Sequence, residues 1–186
     1  MFGLSELTAL PPQSIQLVTR LGSAIGNAQG GNVAYGRIQA FRDMCLKCRW
    51  VFRRDSDGFY NCAGLVWASR RTGISRHKDW IQILQDDGYR RVQETSRLRL
   101  DDLVLYRDVD DNTYLHVAKI VRLESGIVEG SPPIPHVISK WGHDLGECFH
   151  HAYDHGMGVD YNVEIEFWTD RPSNEHVPTT TRSIIL

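Results

Sequence analysis

Cysteine is scarce in this sequence, and so are long apolar runs. The 186 residues include four cysteines, too few for the disulfide framework of small secreted domains, so we expect reduced thiols. No stretch approaches the roughly 20 apolar residues that a membrane-spanning helix requires. The first residues also lack the basic region and the apolar segment of a secretory signal peptide. These absences predict a cytoplasmic protein without a membrane anchor, unless another system exports it.

An excess of charge of either sign is also missing. Lysine and arginine total 21 against 23 for aspartate and glutamate, which leaves a formal net charge of −2. A nearly neutral chain offers no electrostatic basis for a dedicated nucleic-acid or membrane-surface binder, and the Arg90-Arg91 pair is too small to change this. Hydrophobic residues make up 41% of the sequence, which excludes disorder throughout and suits a single domain. The composition indicates no particular oligomeric state.

Apolar spacing divides the chain into a helical first part and a strand-rich second part. Helical periodicity predicts helices at residues 14–28, 35–48, 62–71 and 78–85. Period-2 alternation and β-branched runs predict strands at residues 103–107, 115–123, 136–141 and 163–169. Because no helical crossovers separate these strands, they favour an antiparallel sheet and an α+β fold. We expect an N-terminal helical extension at residues 1–55 and a core at residues 56–186, together forming one compact unit.

The segment YNCAGLV, residues 60–66, places Cys62 where a helix would begin after a turn. The backbone N–H groups and the positive end of the dipole at a helix N-terminus favour a thiolate and can bind an oxyanion. The small residues Ala63 and Gly64 would allow a substrate to approach closely. With a histidine nearby, the thiol would form a nucleophile–base pair. The alternative is a buried structural cysteine, a common environment for free thiols.

His116 is the candidate partner for this cysteine. It lies in the predicted strand YLHVAKIV, residues 114–121, and alternation puts its side chain on the same face as Tyr114 and Ala118. An imidazole on a sheet that packs under the start of a helix is what a Cys–His pair requires. The alternative is a histidine on the surface of the strand.

Three segments in order resemble the NlpC/P60 superfamily of papain-like cysteine peptidases. NCAGLV (residues 61–66) is similar to the family's Asp-Cys-Ser-Gly-Leu-Val box, DDLVLY (101–106) to its Gly-Asp-Leu-Val strand, and HVAKI (116–120) to its His-Val-Gly-Ile-Tyr strand. The resemblance spans residues 59–142, a little under half of the chain. It also extends to a divergent bacterial and phage branch, whose Asn-Cys box is followed by a Ser-Lys-Trp/Leu-Gly box and a histidine, matched here by residues 139–142 and His150.

The resemblance implies a papain-like core in which helices pack on an antiparallel sheet, and thiol-dependent cleavage of an amide bond. The substrate would be a peptide or another amide, in this family often bacterial cell-wall peptide, and some relatives are acyltransferases or deamidases. Cys62 would be the nucleophile and His116 the general base, without a metal or cofactor. The third catalytic residue, which orients the histidine, would be His136, with Ser139 and His150 as alternatives. Asn61, Trp67 and Trp141 would line the substrate groove.

The sequence departs from the family pattern next to both reacting residues. Position 61 is Asn where the family usually has Asp, Ala63 replaces Ser, Asp101 replaces Gly, and Ala118 replaces Gly. The tyrosine that usually precedes the cysteine by about ten residues in that family has no clear counterpart. These departures motivate a second hypothesis, a catalytically silent binding module on the same scaffold.

A metal site is the remaining hypothesis. Cys45 and Cys48 have the C-x-x-C spacing of half a zinc knuckle, and Cys62 and Cys148 would complete a set of four sulfur ligands. A strong zinc signature has a second close pair, whereas Cys62 and Cys148 stand alone. On a helix, Cys45 and Cys48 share one face and are more simply explained as core residues.

Overall fold

The helices and strands of the described residues lie between Tyr35 and Thr169. The structure is a computed structural model that describes residues 13–126, 128, 130–156 and 162–172. Within them the α-helices are α1 (Tyr35–Cys48), α2 (Cys62–Trp67) and α3 (His77–Asp86), and a short 3₁₀ turn spans Thr95–Arg97. The strands are β1 (Val51–Arg54), β2 (Arg90–Arg91), β3 (Leu103–Asp108), β4 (Thr113–Glu124), β5 (Ile134–Lys140), β6 (Glu147–His151) and β7 (Val163–Thr169).

The strands of the described residues form one seven-stranded sheet. Its order is β1-β6-β5-β4-β3-β7-β2, and all of its neighbouring strands are antiparallel. The fold is therefore mixed α and β with an antiparallel sheet, which confirms the predicted sheet type. The predicted strands correspond to β3, β4, β5 and β7, whereas β1, β2 and β6 were not predicted.

The two faces of the sheet carry separate hydrophobic clusters, because successive side chains of a strand point to opposite faces. Leu103, Leu105 and Val117 pack against α2 and α3, and we call this side the α2 face. Val104 and Tyr106 point the other way, into a cluster with residues of β4, β5 and β7, and we call this side the far face. Central strand β3 is buried on both faces, which explains why it reads as a continuous apolar run.

A β-bulge interrupts the pairing of β3 with β4 beside the first residues of β4. Tyr106 pairs with His116 and Arg107 pairs with Tyr114, so Leu115 is an extra residue in β4. A bulge of this kind reverses the facing of the residues that precede it. Tyr114 therefore packs on the α2 face, while His116 shares the far face with Tyr106. The predicted sharing of one face by Tyr114 and His116 is wrong for this reason.

The predicted helix at residues 14–28 is also wrong. This segment is irregular and folds back on itself, with a bridge between Val18 and Ala24 and a tight turn at Gly22, whose φ is +86°. Asn27 holds the turn closed by exchanging hydrogen bonds with the backbone of Ile15. Apolar spacing alone favoured a helix, but Gly22 and these long-range contacts favour the reversal.

The segment before residue 56 contributes both a helix and a strand. Helix α1 has the predicted bounds and buries Phe41 and Cys45. Strand β1 pairs with β6, so the sheet itself extends across the boundary that separates residues 1–55 from residues 56–186. Residues 1–12 lie outside the described residues. None of the helices in the described ranges is long and apolar enough to cross a membrane.

Candidate functional site

Helix α2 begins at Cys62, as predicted, because the side chain of Asn61 caps it. The Asn61 carbonyl oxygen accepts hydrogen bonds from the backbone N–H of Gly64 and of Ile74, each at 3.0 Å. Its amide nitrogen donates to the carbonyl oxygen of Ile74, also at 3.0 Å. Asn61 therefore joins the first turn of α2 to the loop that leads into α3, and fixes the position of Cys62 relative to that loop.

Cys62 lies on the wall of a cavity of about 350 Å³ at the end of the sheet. The pairing of β4 with β5 ends at Lys119 and Ile138, and the cavity lies beyond that end of the paired strands. Its lining includes no lysine, arginine, aspartate or glutamate. The lining residues are Asn61, Cys62, Ser75, His77, Trp80, Tyr114, Leu115, His116, Trp141, Gly142 and His143.

The cavity brings together four of the residues predicted for the site and adds others. Cys62 and His116 share its lining with two predicted groove residues, Asn61 and Trp141. The third groove candidate, Trp67, instead packs in the core against Trp80, with ring centroids 5.6 Å apart. Sequence reasoning missed Ser75, His77 and His143, which lie in polar loops or at a helix start without a motif of their own.

The Cys62 thiol is protonated at neutral pH in this environment. Burial raises its pKa to about 11, although hydrogen bonding by the backbone of Val117, Ala63 and Cys62 itself acts in the opposite direction. Val117 belongs to β4 and directly follows His116 in the chain. Its backbone hydrogen bond to the thiol indicates that the sulfur lies beside β4. The sulfur is therefore buried and lies at the cavity wall. Because its pKa is raised, its reactivity at neutral pH depends on a proton acceptor.

The His116 side chain does not pair with this thiol, because the two lie on opposite faces of the sheet. The His116 ring stacks on Trp141 with centroids 4.1 Å apart and planes 5° apart, and its Nε2 is 3.2 Å from the hydroxyl of Ser139. Cys62 packs on the α2 face with Leu105 and Val117. Burial, with smaller contributions from His150 and His155, lowers the pKa of His116 to about 3.

A chain of hydrogen bonds fixes the tautomer of His116. His150 Nδ1 is 2.8 Å from the carbonyl oxygen of His151, which can only accept, so Nδ1 carries the proton. His150 Nε2 then accepts from the Ser139 hydroxyl, at 2.8 Å. The Ser139 oxygen is left to accept from His116, so His116 carries its proton on Nε2 and has Nδ1 as its basic nitrogen.

The three candidates for the third catalytic position differ in their contacts. Ser139 contacts His116 directly, and His150 reaches His116 through Ser139. His136, the first candidate, instead forms a hydrogen bond of 3.1 Å with Glu124 and stacks on Phe149. Alternation along β5 places His136 and Ser139 on opposite faces, which separates His136 from this chain of hydrogen bonds.

The cysteines are arranged as core residues. Cys45 and Cys148 pack with Phe41 and Trp50, and burial is the main cause that raises the pKa of both thiols. Across the part of the chain that the structure describes, no group of three or more His, Cys, Asp or Glu side chains is arranged to hold a metal ion. This arrangement gives the zinc hypothesis no ligand set.

Replacing Ser139 with alanine is expected to lower the free energy of unfolding by about 1–3 kcal/mol. The change removes only the hydroxyl and leaves the Nε2 atoms of His116 and His150 without their shared partner, and an unsatisfied buried polar group costs about 1–3 kcal/mol. Chemical denaturation of both proteins measures the difference. Ser131→Ala is the matched control because Ser131 is exposed, and an equal loss in the two variants would contradict the structural role of Ser139.

Thermal stability is expected to fall as the pH is lowered from 7.5 to 5. The folded-state pKa of His116 lies below its ordinary value of 6.5, so below that pH the unfolded chain binds a proton at His116 that the folded chain does not bind. The free energy of unfolding has its full value above pH 6.5 and decreases below that pH, by about 1 kcal/mol per pH unit for each such histidine. Burial also lowers the pKa of His150 and His151, which adds to the effect. Scanning calorimetry would measure it, and His116→Gln should flatten the pH dependence.

Comparisons with known proteins leave the family of this chain open. No family model, no curated protein and no solved structure matches it.

Proposed function

We propose that the chain is a thiol-dependent hydrolase of papain-like, NlpC/P60-like type that cleaves an amide bond through a thioester. The main support is that the Cys62 thiol lines a cavity whose other walls carry imidazole and indole rings and no charged side chain. The resemblance of three ordered segments and the packing of α2 on an antiparallel sheet add to it. We place the activity in the cytoplasm, on the sequence features described above.

The uncharged lining favours a substrate whose groups beside the scissile bond are neutral. Burying an unpaired charge in such a cavity is costly, whereas flat apolar groups pack well on indole and phenol rings. A peptide or other amide with neutral flanking groups meets this requirement, and cell-wall peptide is the example that the resemblance offers. Capture of the thioester by an amine instead of water would make the same site an acyltransferase.

The reaction needs a base as well as a thiol. Cys62 attacks the carbonyl carbon, a C–S bond forms, and the thiol proton passes to a histidine while the oxygen gains the π electrons. The C–N bond then breaks and the amine leaves with that proton. Water hydrolyses the thioester by the same route. With a thiol pKa of about 11, ionisation at pH 7 without a base would cost about 5 kcal/mol.

Covalent trapping tests the proposal. The protein is mixed with a library of N-acetyl dipeptide 4-nitroanilides that have neutral side chains, and release of 4-nitroaniline is followed by absorbance. Samples quenched in acid are analysed by mass spectrometry for an acyl adduct. We expect amine release by some members and an adduct on Cys62. Absence of release across the library, or an adduct on another residue, would contradict a hydrolase.

The second candidate is a catalytically silent binding module. The separation of Cys62 from His116 on the two faces of the sheet favours it. A silent module would bind library members without releasing amine, and Cys62→Ala would leave that binding unchanged. Calorimetric titration beside the turnover assay therefore distinguishes the two functions.

A further inference from the structure

We propose that His143 is the general base for Cys62. This inference rests on the proposed function and names a residue outside the three segments that resemble the NlpC/P60 family. His143 lies in the turn between β5 and β6 and lines the same cavity as Cys62. Its side chain is half-buried, so a substrate or water molecule in the cavity can reach it.

The surroundings of His143 fix both its tautomer and its position. Nδ1 is 3.3 Å from the carbonyl oxygen of Gly58, which can only accept, so Nδ1 carries the proton and Nε2 has the free electron pair. Nε2 lies 3.5 Å from the hydroxyl of Ser75, which is also part of the cavity wall. The basic nitrogen of His143 is therefore at the cavity.

Glycine makes room for this ring. A Cβ atom added to Gly73 would lie 2.1 Å from His143 Cε1 and 2.5 Å from Nε2, and one added to Gly30 would lie 3.1 Å from Nδ1. The ring thus occupies a slot that any larger side chain at position 73 would close. Lys140 donates a hydrogen bond to the His143 carbonyl oxygen, at 3.2 Å, and steadies the same turn.

The other two cavity histidines are less suited to the role. The His116 ring lies on the far face of the sheet beside Tyr106, and burial lowers its pKa to about 3, which makes it a poor proton acceptor. His77 has a buried Nε2 with no hydrogen-bond partner among the described residues, so its tautomer is not fixed as that of His143 is, and its ring packs on Tyr114 with centroids 5.6 Å apart. His143 is the remaining imidazole of the cavity lining.

In this arrangement the Cys62 proton passes to His143 Nε2 as the C–S bond forms. His143 returns that proton to the amine nitrogen as the C–N bond breaks, and repeats the exchange with water in the second half of the reaction. Two charged residues lie near His143 in the chain, Lys140 and Asp144, and the partners of both are groups other than the His143 ring. The Lys140 ammonium is bound by the carbonyl oxygens of His143 and Leu145, and Asp144 pairs with Arg37.

Alkylation by iodoacetamide tests the assignment without needing a substrate. The rate of Cys62 modification is measured from pH 6 to 9 by peptide mass spectrometry, and Cys48, which is partly exposed, serves as an internal reference. In the intact protein we expect a plateau at neutral pH, because His143 accepts the proton. In His143→Gln the rate at pH 7 should fall at least tenfold and then rise about tenfold per pH unit, as for an unassisted thiol.

Two further variants complete the test. His116→Gln should leave the Cys62 plateau in place, and Gly73→Ala, which keeps the imidazole but displaces it, should lower the rate as His143→Gln does. A Cys62 rate that is unchanged in His143→Gln, or is lost in His116→Gln instead, overturns the assignment. If His143→Gln fails to fold, a rate in the intact protein that rises steadily with pH overturns it as well. Alkylation requires no amide cleavage, so failure of the hydrolase proposal leaves this result readable.

Discussion

Replacing Cys62 with alanine is expected to abolish amine release, by a factor of about 10³ or more, and to remove the acyl adduct. The sulfur is the atom that forms the covalent intermediate, and no neighbouring side chain of the cavity lining has a thiol to replace it. Stability should change little, because Cys62 and alanine are both small and the cap at Asn61 is preserved. The measurement is turnover of the best library substrate, alongside thermal unfolding.

Cys48→Ala is the matched control for this substitution. Cys48 is a free, partly exposed cysteine near the end of α1, outside the cavity lining. It should therefore keep full turnover. Equal turnover by Cys62→Ala and the intact protein would exclude a role for the Cys62 thiol in catalysis.

Replacing Glu147 with alanine is expected to lower the free energy of unfolding by about 3 kcal/mol. Glu147 is 3% exposed and accepts hydrogen bonds from the Tyr60 hydroxyl and the Arg70 guanidinium, each at 2.5 Å. Burial alone would raise its pKa, but these partners outweigh burial and leave the pKa below its ordinary value. Removing the carboxylate therefore removes a net stabilising group and leaves Arg70 and Tyr60 without their acceptor.

Glu164→Ala provides the comparison for Glu147. Glu164 also forms ion pairs with two arginines, Arg91 and Arg107, but its side chain is 39% exposed. Water competes for such a pair, so we expect a much smaller loss than for Glu147→Ala. Urea denaturation of both variants measures the difference. Similar losses at the two positions would show that burial does not set the strength of the Glu147 cluster.

Local sequence patterns predicted the elements whose burial follows a simple period. Helix α1 and strand β7 have the predicted bounds, because their apolar residues recur with the period of the element. Strand β6 escaped prediction because its sequence, ECFHH, has a charged residue and two histidines. Glu147 can be buried there only because Arg70 and Tyr60, more than 70 residues away in sequence, provide its partners.

The site shows the same division between local and distant information. The start of α2 at Cys62 follows from the Asn61 cap, which is encoded within four residues. The orientation of His116 depends on the bulge at Leu115 and on which face receives α2, and neither is visible in the strand's own sequence. His143 and Ser75 come from loops that meet only in the folded chain, so no spacing in the sequence indicated them.

The amide of Asn61 also bears on the difference between this chain and the NlpC/P60 box that it resembles. The Asn61 side chain donates a hydrogen bond to the Ile74 carbonyl oxygen and accepts one from the Ile74 N–H. An ionised aspartate, usual at this place in the NlpC/P60 box, has no proton to give and would set its negative charge against the Ile74 carbonyl. An asparagine at position 61 therefore fits the path of the loop at residues 72–75, whereas an ionised aspartate would lose the hydrogen bond to the Ile74 carbonyl oxygen.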